Sequence, residues 1–326
     1  MEQNIEIQQP LMVTIRCCAY NQEAYIRDCL EGFVMQKTNF RFEAIVHDDA
    51  STDGTAEIIK EYAEKYPDII KPILETENQY SKHDGSLGRI MNENARGKYV
   101  AFCEGDDYWI DPLKLQKQVD FLEAHSDYGM VYTGFKRYYQ KENREVQGNG
   151  RQQYFEDLIL SNQIQTNTVV LRTSFLKKYD EEFLPIAVSQ KWQMGDTPKW
   201  LFVMAHSKTK YLPDVTGVYR ILENSASHFT SFEKDYEFWL SLYNCTMFFA
   251  NKYRPNSDLC SKIARDEIER FLTLANSYKL NLNFPLYRHL KKYKIFTLKQ
   301  YLSCKLRSFI WGRQLYGLLK NSVCLL

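Results

Sequence analysis

Over the first 125 positions, short continuous apolar runs alternate with apolar residues spaced three and four apart, as expected for buried strands alternating with amphipathic helices. Leu11–Ile15 reads as a strand ending in a turn at Ala19-Tyr20-Asn21. Ile26, Cys29, Leu30, Phe33 and Val34 then recur at helical spacing, with Asn21 the candidate N-cap. A second strand, Phe42–Val46, runs into His47-Asp48-Asp49, and the next helix carries Ile58, Ile59, Tyr62, Ala63 and Tyr66 before Pro67 stops it. Ile69–Leu74 is a short third strand, and Lys98–Cys103 is the near-continuous apolar run of a buried parallel strand. Asp111-Pro112 predicts a helix start, with Leu115, Val119 and Leu122 following. Residues 129–139 and 166–172 and Val215–Tyr219 are further strand candidates. The pattern predicts an α/β fold with a doubly wound, mostly parallel sheet whose ligands sit at the carboxyl ends of the strands.

Beyond Asp235 the strand pattern stops. Phe238, Leu242, Cys245 and Phe249, then Ile263, Ile268, Phe271 and Leu274, predict successive helices. The expected division is therefore 1–228, an α/β domain, and 229–326, a helical C-terminal region.

Composition alters this picture in one place. The formal net charge is +1, so the chain as a whole is no nucleic-acid binder, yet residues 280–326 hold nine Lys/Arg and no Asp or Glu. Within that block, Leu298, Tyr301, Leu302, Leu306, Phe309, Ile310 and Leu315 form an apolar helical stripe flanked by cations, suited to a membrane surface or to a second subunit. The oligomeric state stays open. No run reaches the ~18 apolar residues of a membrane span, and the polar N-terminus MEQNIEIQQP has no leader-like core. The eight cysteines show no metal-type spacing and read as reduced thiols. Together these features lead to the expectation of a cytoplasmic protein whose basic tail suits either peripheral contact with the inner membrane face or a second subunit.

The candidate chemistry lies in two acidic clusters, each directly after an apolar strand. Asp48 and Asp49 precede Ala50-Ser51-Thr52-Asp53-Gly54-Thr55; capping explains the later residues, but two adjacent carboxylates at a strand end suit a base NH or a ribose hydroxyl. Glu104-Gly105-Asp106-Asp107-Tyr108-Trp109 is the sharper motif. Carboxylates converging there raise one another's pKa unless a cation intervenes, and hard oxygen ligands suit Mg²⁺ or Mn²⁺ shared with substrate phosphates. Gly105 removes a side chain where backbone and ligand are expected to meet.

Tyr20-Asn21, the Asp48–Thr55 segment and the Glu104–Trp109 box, in that order and each after a strand, resemble family 2 glycosyltransferases of the GT-A fold. The resemblance covers about residues 10–228. It implies a nucleotide-diphosphate sugar donor (UDP ahead of the others), a divalent metal, inversion at the anomeric carbon, and a saccharide or lipid-linked saccharide acceptor in surface polysaccharide assembly. Carried residue by residue, Ala19, Tyr20, Asn21, Asp48, Asp49, Glu104 and Gly105 would line the nucleotide, and Asp106 would be the principal metal ligand, joined by His228. Asp107, Arg220 and Trp192 are candidate diphosphate or substrate contacts. The base that deprotonates the acceptor would be Asp196, in Gly195-Asp196-Thr197-Pro198, ahead of a helical run. Cys18-Ala19 stands where the family often has Pro-Thr, which weakens the transfer of that turn's backbone contacts. A sugar nucleotidyltransferase would want a Gly-rich basic loop in the first turn, and Cys17–Asn21 has none; a non-catalytic scaffold would not need every acid to be filled.

Overall fold

The walk along the chain begins at β1 (Leu11–Ala19) and α1 (Ile26–Val34), then β2 (Arg41–Asp48), α2 (Thr55–Lys65), β3 (Ile70–Leu74), α3 (Ser86–Glu93), β4 (Tyr99–Phe102) and β5 (Tyr108–Trp109). It continues through α4 (Lys114–Ala124), β6 (Tyr128–Tyr139), β7 (Arg144–Gln147), α5 (Phe155–Leu160), β8 (Val170–Arg172), α6 (Thr173–Glu182), α7 (Leu184–Ser189), α8 (Thr197–His206) and β9 (Lys208–Ile221). The structure, a computed structural model, describes residues 9–222 and 231–278. The chain divides into two units, Met1–Ser225 and Ala226–Leu326.

The nine strands among the described residues join one sheet in the order β3-β2-β1-β4-β8-β6-β9-β5, with β7 beside β6. β3, β2, β1 and β4 are mutually parallel, the arrangement that strand–helix–strand crossovers generate. Beyond β4 the sheet is mixed: β8 runs antiparallel to β4 and β6, whereas β9 is parallel to β6.

The period of two in β1 explains the layering. Val13, Ile15, Cys17 and Ala19 join a core with Ile26, Leu30 and Phe33 of α1, Ile58 and Ile59 of α2, and Leu115, Val119 and Leu122 of α4. Thr14, Arg16 and Cys18 belong to the opposite face. There Phe102 of β4 meets Trp200 of α8 edge-on at 5.4 Å. Gly32, in the middle of α1, is explained by approach: a Cβ there would lie 2.8 Å from the Trp109 backbone nitrogen. That contact seats β5, and the turn before it, against α1.

Two local expectations are corrected. α4 begins at Lys114 rather than at Asp111-Pro112, because the Asp111 carboxylate accepts from the Leu113 N–H at 2.9 Å and makes a separate turn ahead of the helix. The segment 166–172 is only partly strand, opening with a 3₁₀ turn, Thr166–Thr168, before β8. That turn is held by its surroundings. The Trp109 indole donates to the Asn167 carbonyl at 2.7 Å, and Gln118 donates to the Thr168 carbonyl at 2.8 Å.

In the second unit, α9 (Phe232–Tyr253) and α10 (Leu259–Ser277) are the described elements. α9 buries Phe232, Tyr236, Leu240, Cys245 and Phe249, leaving Phe238 and Leu242 half-buried. The stripe is rotated from the expected one because Phe232 and Tyr236 pack edge-on against Phe271, at 6.1 and 5.4 Å. The basic segment 280–326 and His228 lie outside the described residues. No described helix is long and apolar enough to cross a membrane, and the six described cysteines, among them Cys17, Cys29 and Cys103 in the core, are free.

Glu267 of α10 is 5% exposed, and burial pushes its carboxyl from an ordinary 4.5 up to about 8, Arg270 pulling only partly back. Between those values the folded state keeps a proton that the unfolded state releases. Stability therefore falls as pH rises through this window, by up to ~1.4 kcal/mol per unit. Glu267→Gln is expected to remove that slope, which urea unfolding at pH 5 and pH 8 would measure; equal slopes in both proteins would rule it out.

Candidate functional site

The carboxyl ends of β1 and β2 lie side by side, with Ala19 opposite Asp48, and the loops that follow are interlocked. The Asn21 N–H donates to Ser51 Oγ at 2.9 Å, and Asn21 Oδ1 accepts from the Thr52 N–H at 2.8 Å. Gln22 N–H donates to Thr55 Oγ1 at 2.8 Å, Glu23 N–H to Asp53 Oδ2 at 3.1 Å, and Gly54 N–H to Glu23 Oε2 at 3.0 Å. Asn21 therefore does not cap α1, whose N-cap position is Tyr25. It sits at φ 51°, a left-handed conformation that Asn tolerates better than most residues, and spends its side chain on the neighbouring loop.

The two adjacent acids part company. Both oxygens of Asp49 are occupied, Oδ1 by the Gln79 N–H at 2.7 Å and Oδ2 by the Tyr80 N–H at 3.0 Å, so Asp49 fastens the segment after β3. Asp48 accepts from the Ser51 N–H through Oδ2 at 3.1 Å, while its Oδ1 is buried with no hydrogen-bond partner among the described residues. A buried carboxylate oxygen of this kind calls for an explanation. Tyr20, which follows Ala19 in the first loop, is 48% exposed.

The acidic turn links β4 to β5. Gly105 donates its N–H to the Cys18 carbonyl at 3.0 Å, and a Cβ on it would meet Gln22 Oε1 at 2.3 Å and Ile26 Cδ1 at 2.9 Å. The close approach expected at this glycine is thus to the β1–α1 turn, within the protein.

Asp107 is 3% exposed and accepts the Arg220 N–H through Oδ1 at 2.9 Å, which ties the turn to β9. Arg220 is 5% exposed. Its Nε donates to the Asp106 carbonyl at 2.8 Å, one terminal nitrogen to Gln140 Oε1 at 2.6 Å and the other to Asp28 Oδ2 at 2.7 Å. The rings of Tyr25, Tyr108 and Tyr138 surround its guanidinium at 4.9–5.5 Å. Its geometry is that of a clamp on the acidic turn, with all three guanidinium nitrogens engaged inside the protein.

Glu104 and Asp106 have the opposite surroundings. Asp106 is half-buried, and burial raises its carboxyl above the ordinary range, with Arg220 opposing. Glu104 is open at its surface yet ringed by protein. That enclosure, followed by the charges of Asp196 and Asp106, pushes its carboxyl up to about 8, against the pull of Arg16 and Lys199. Asp196, about ninety positions downstream, is therefore brought within electrostatic reach of the acidic turn. It occupies the N-cap position of α8, but its side chain bonds none of that helix's N–H groups; its Oδ2 accepts instead from the Thr166 hydroxyl.

Two cations of this constellation carry no motif in the sequence. Arg16, on the inner face of β1, hydrogen-bonds Asn92, which in turn bonds Asp180. Lys199 follows Asp196 by one short turn and donates to the Gly195 carbonyl at 2.7 Å. Both feel the charges of Glu104, Asp180 and Asp196, and burial lowers the pKa of each. The only sequence signal for Arg16 is a charge inside an otherwise apolar strand. Trp192 bonds Gln190 Oε1 at 3.2 Å and is not among the residues lining the cleft that holds Asp196.

That cleft encloses about 430 Å³, and Asp196 and Thr166 line it together with Phe135, Arg137, Asn149 and Gln165. Among the described residues no three His, Cys, Asp or Glu side chains converge as a ready-made metal cage.

The model of the family described as "Glycosyl transferase family 2" matches residues 14–181. An uncharacterised Mycobacterium tuberculosis protein, Rv1520, is 37% identical over 218 residues, 64% of this chain and 58% of its own length. The chain thus spans a little over half the length of that relative. S. aureus TarS (residues 1–349), solved with UDP-GlcNAc, superposes with a TM-score of 0.54 at 19% identity, covering 91% of each chain. The mannosyltransferase PcManGT from Pyrobaculum calidifontis, solved with GDP-Man and Mn²⁺, does so at 0.51 and 16%, over 91% of this chain and 87% of its own. Both structural likenesses concern the fold, a GT-A-like curled sheet between helices. The family match runs from β1 through β4 and on into α6, across both acidic clusters, and on that basis the chain belongs to glycosyl transferase family 2.

Proposed function

We propose that the protein transfers a sugar from a nucleotide-diphosphate donor to an acceptor hydroxyl by single displacement, with inversion. The observation that carries this reading is that Asp196, at the start of α8, comes within electrostatic reach of Glu104, which Asp106 also acts on. Asp48 would take the base or ribose through its unpartnered oxygen, with Tyr20 beside it. Arg16 and Lys199 would offset the charge that builds on the departing diphosphate. Asp196, held in orientation by Thr166, would accept the proton of the incoming hydroxyl as the new bond forms. UDP is the proposed nucleotide, in keeping with the UDP-GlcNAc of the TarS structure.

The donor set fits a divalent cation. Asp106 and Glu104 are adjacent carboxylates whose pKa values burial raises, and Mg²⁺ or Mn²⁺ is commonly held by one or two carboxylates plus substrate phosphates. When bound, such an ion supplies Lewis-acid neutralisation of the leaving diphosphate. His228 is proposed as a further ligand. The acceptor is proposed to be a saccharide or lipid-linked saccharide of surface polysaccharide assembly, met at the inner membrane face through the basic segment 280–326.

The test is incubation with a panel of UDP- and GDP-sugars, Mn²⁺ and mixed glycan acceptors. Release of nucleoside diphosphate is expected. Release of pyrophosphate would point to a nucleotidyltransferase, and no release with any donor would sink the reading. Asp106→Asn should raise the Mn²⁺ concentration needed for half-maximal donor binding by at least roughly tenfold, in line with loss of a charged ligand. An unchanged Mn²⁺ requirement would remove Asp106 from the metal site.

A further inference from the structure

The cleft that holds Asp196 contains a cation with no ion-pair partner among the described residues. Arg137 lies near the end of β6, half-buried, with its guanidinium 5.3 Å from the centroid of the Phe135 ring. Phe135 is itself 2% exposed, so the platform under the guanidinium is fixed. Among the described residues Arg137 has neither a carboxylate in salt-bridge range nor a hydrogen bond. Its neighbours on the same hairpin are paired, Lys136 with Glu145 at 2.8 Å and Arg144 with Glu142 at 2.8 Å. The nearby Arg220 is fully engaged as well.

A partly desolvated guanidinium without a counter-charge is costly, and a planar fork of donors is suited to a carboxylate or a phosphate. Apart from Asp196, the rest of the lining is neutral and amide-rich. Asn149 and Gln165 carry no side-chain hydrogen bond among the described residues, and amides can serve sugar hydroxyls as donor or as acceptor. The volume, about 430 Å³, is that of a small-ligand pocket.

We infer that the acceptor carries an anionic group, a carboxylate or a phosphate, which Arg137 receives in the cleft where Asp196 meets the hydroxyl. This rests on the transferase reading and adds the acceptor's chemical class to it. The donor is not the better partner for Arg137. The paired acids and the acidic turn lie in the first half of the chain, and Arg16 and Lys199 already stand beside that turn.

The full chain, with UDP and Mn²⁺ present, would be titrated calorimetrically with p-nitrophenyl glucoside, p-nitrophenyl glucuronide and p-nitrophenyl glucoside 6-phosphate. At least one anionic probe is expected to bind roughly tenfold or more tightly than the glucoside, and whichever does identifies carboxylate or phosphate. Arg137→Gln should erase that preference and leave glucoside binding unchanged, and Arg137→Lys should retain part of it, with melting curves confirming that both variants fold. Equal binding of all three probes, or a preference that survives Arg137→Gln, overturns the inference. A preference for UDP-glucuronate over UDP-glucose that disappears in Arg137→Gln also overturns it, because the guanidinium would then face the donor. Acceptor-free hydrolysis of UDP-sugars separates the two levels: it should be equal in wild type and Arg137→Gln. Its absence from wild type counts against sugar transfer itself, whereas its presence alongside an indifferent Arg137 counts against the anionic acceptor alone.

Discussion

Replacing Asp196 with Asn is expected to slow sugar transfer by about 10²–10⁴-fold, the usual contribution of a positioned base, while donor binding stays within a few-fold of wild type. The substitution keeps shape. An amide oxygen can still accept from the Thr166 hydroxyl, so the loop at 161–166 has no reason to move. What is lost is the capacity to take a proton. The loss should appear in kcat with little change in the donor KM, and calorimetric binding of UDP with Mn²⁺ should be preserved. Transfer within tenfold of wild type, with the fold intact, would show that another group serves as the base.

The second large effect is expected from Arg220→Met, with a loss of about 3–5 kcal/mol of stability, the range for breaking a buried charge arrangement from one side. Methionine would fill much of the space among the three tyrosines. It could not serve the Asp106 carbonyl, Gln140 and Asp28, nor balance the buried Asp107 beneath the turn. Arg220→Lys should recover little of the loss, since an ammonium group cannot reproduce a planar three-way grip. Urea unfolding followed by circular dichroism measures both variants. A cost below about 1 kcal/mol for Arg220→Met would mean that the backbone N–H to Asp107 carries the turn without help from the side chain.

These two residues also mark how far the sequence could be read. Strand–helix alternation and the acidic clusters at strand ends were legible because burial imposes a period and because charges rarely follow an apolar run without cause. Asp196 was legible through its local pattern, an acid and a proline opening a helix. Arg220 was expected to contact diphosphate or substrate and was not legible as a clamp, since nothing local reveals that Asp28, Asp106, Gln140 and three tyrosines converge on it from three separate segments. Arg16 and Lys199 escaped notice for the same reason, as their importance lies in facing Glu104 across the fold. The division of labour between Asp48 and Asp49 depends on where the 78–80 segment returns, which no spacing rule encodes. Helix starts were the weakest point. Asn21 and Asp111 both have capping chemistry; Asn21 spends it on the neighbouring loop and Asp111 on the turn that precedes its helix.

The interlock between the loops after β1 and β2 limits how this protein can be altered. Six hydrogen bonds join residues 21–23 to residues 51–55, five of them pairing a backbone group with a side chain from the other loop. Inserting or deleting one residue on either side would misalign the whole set, since every partner is fixed by position along the chain. Length variation is thus closed to these loops, and Asp48, whose carboxylate holds the Ser51 N–H, belongs to the same frame, while the exposed Tyr20 ring can change without disturbing the lattice of bonds around it. Retuning the choice of nucleotide, by selection or by design, would have to proceed through single side chains on a frame that stays constant.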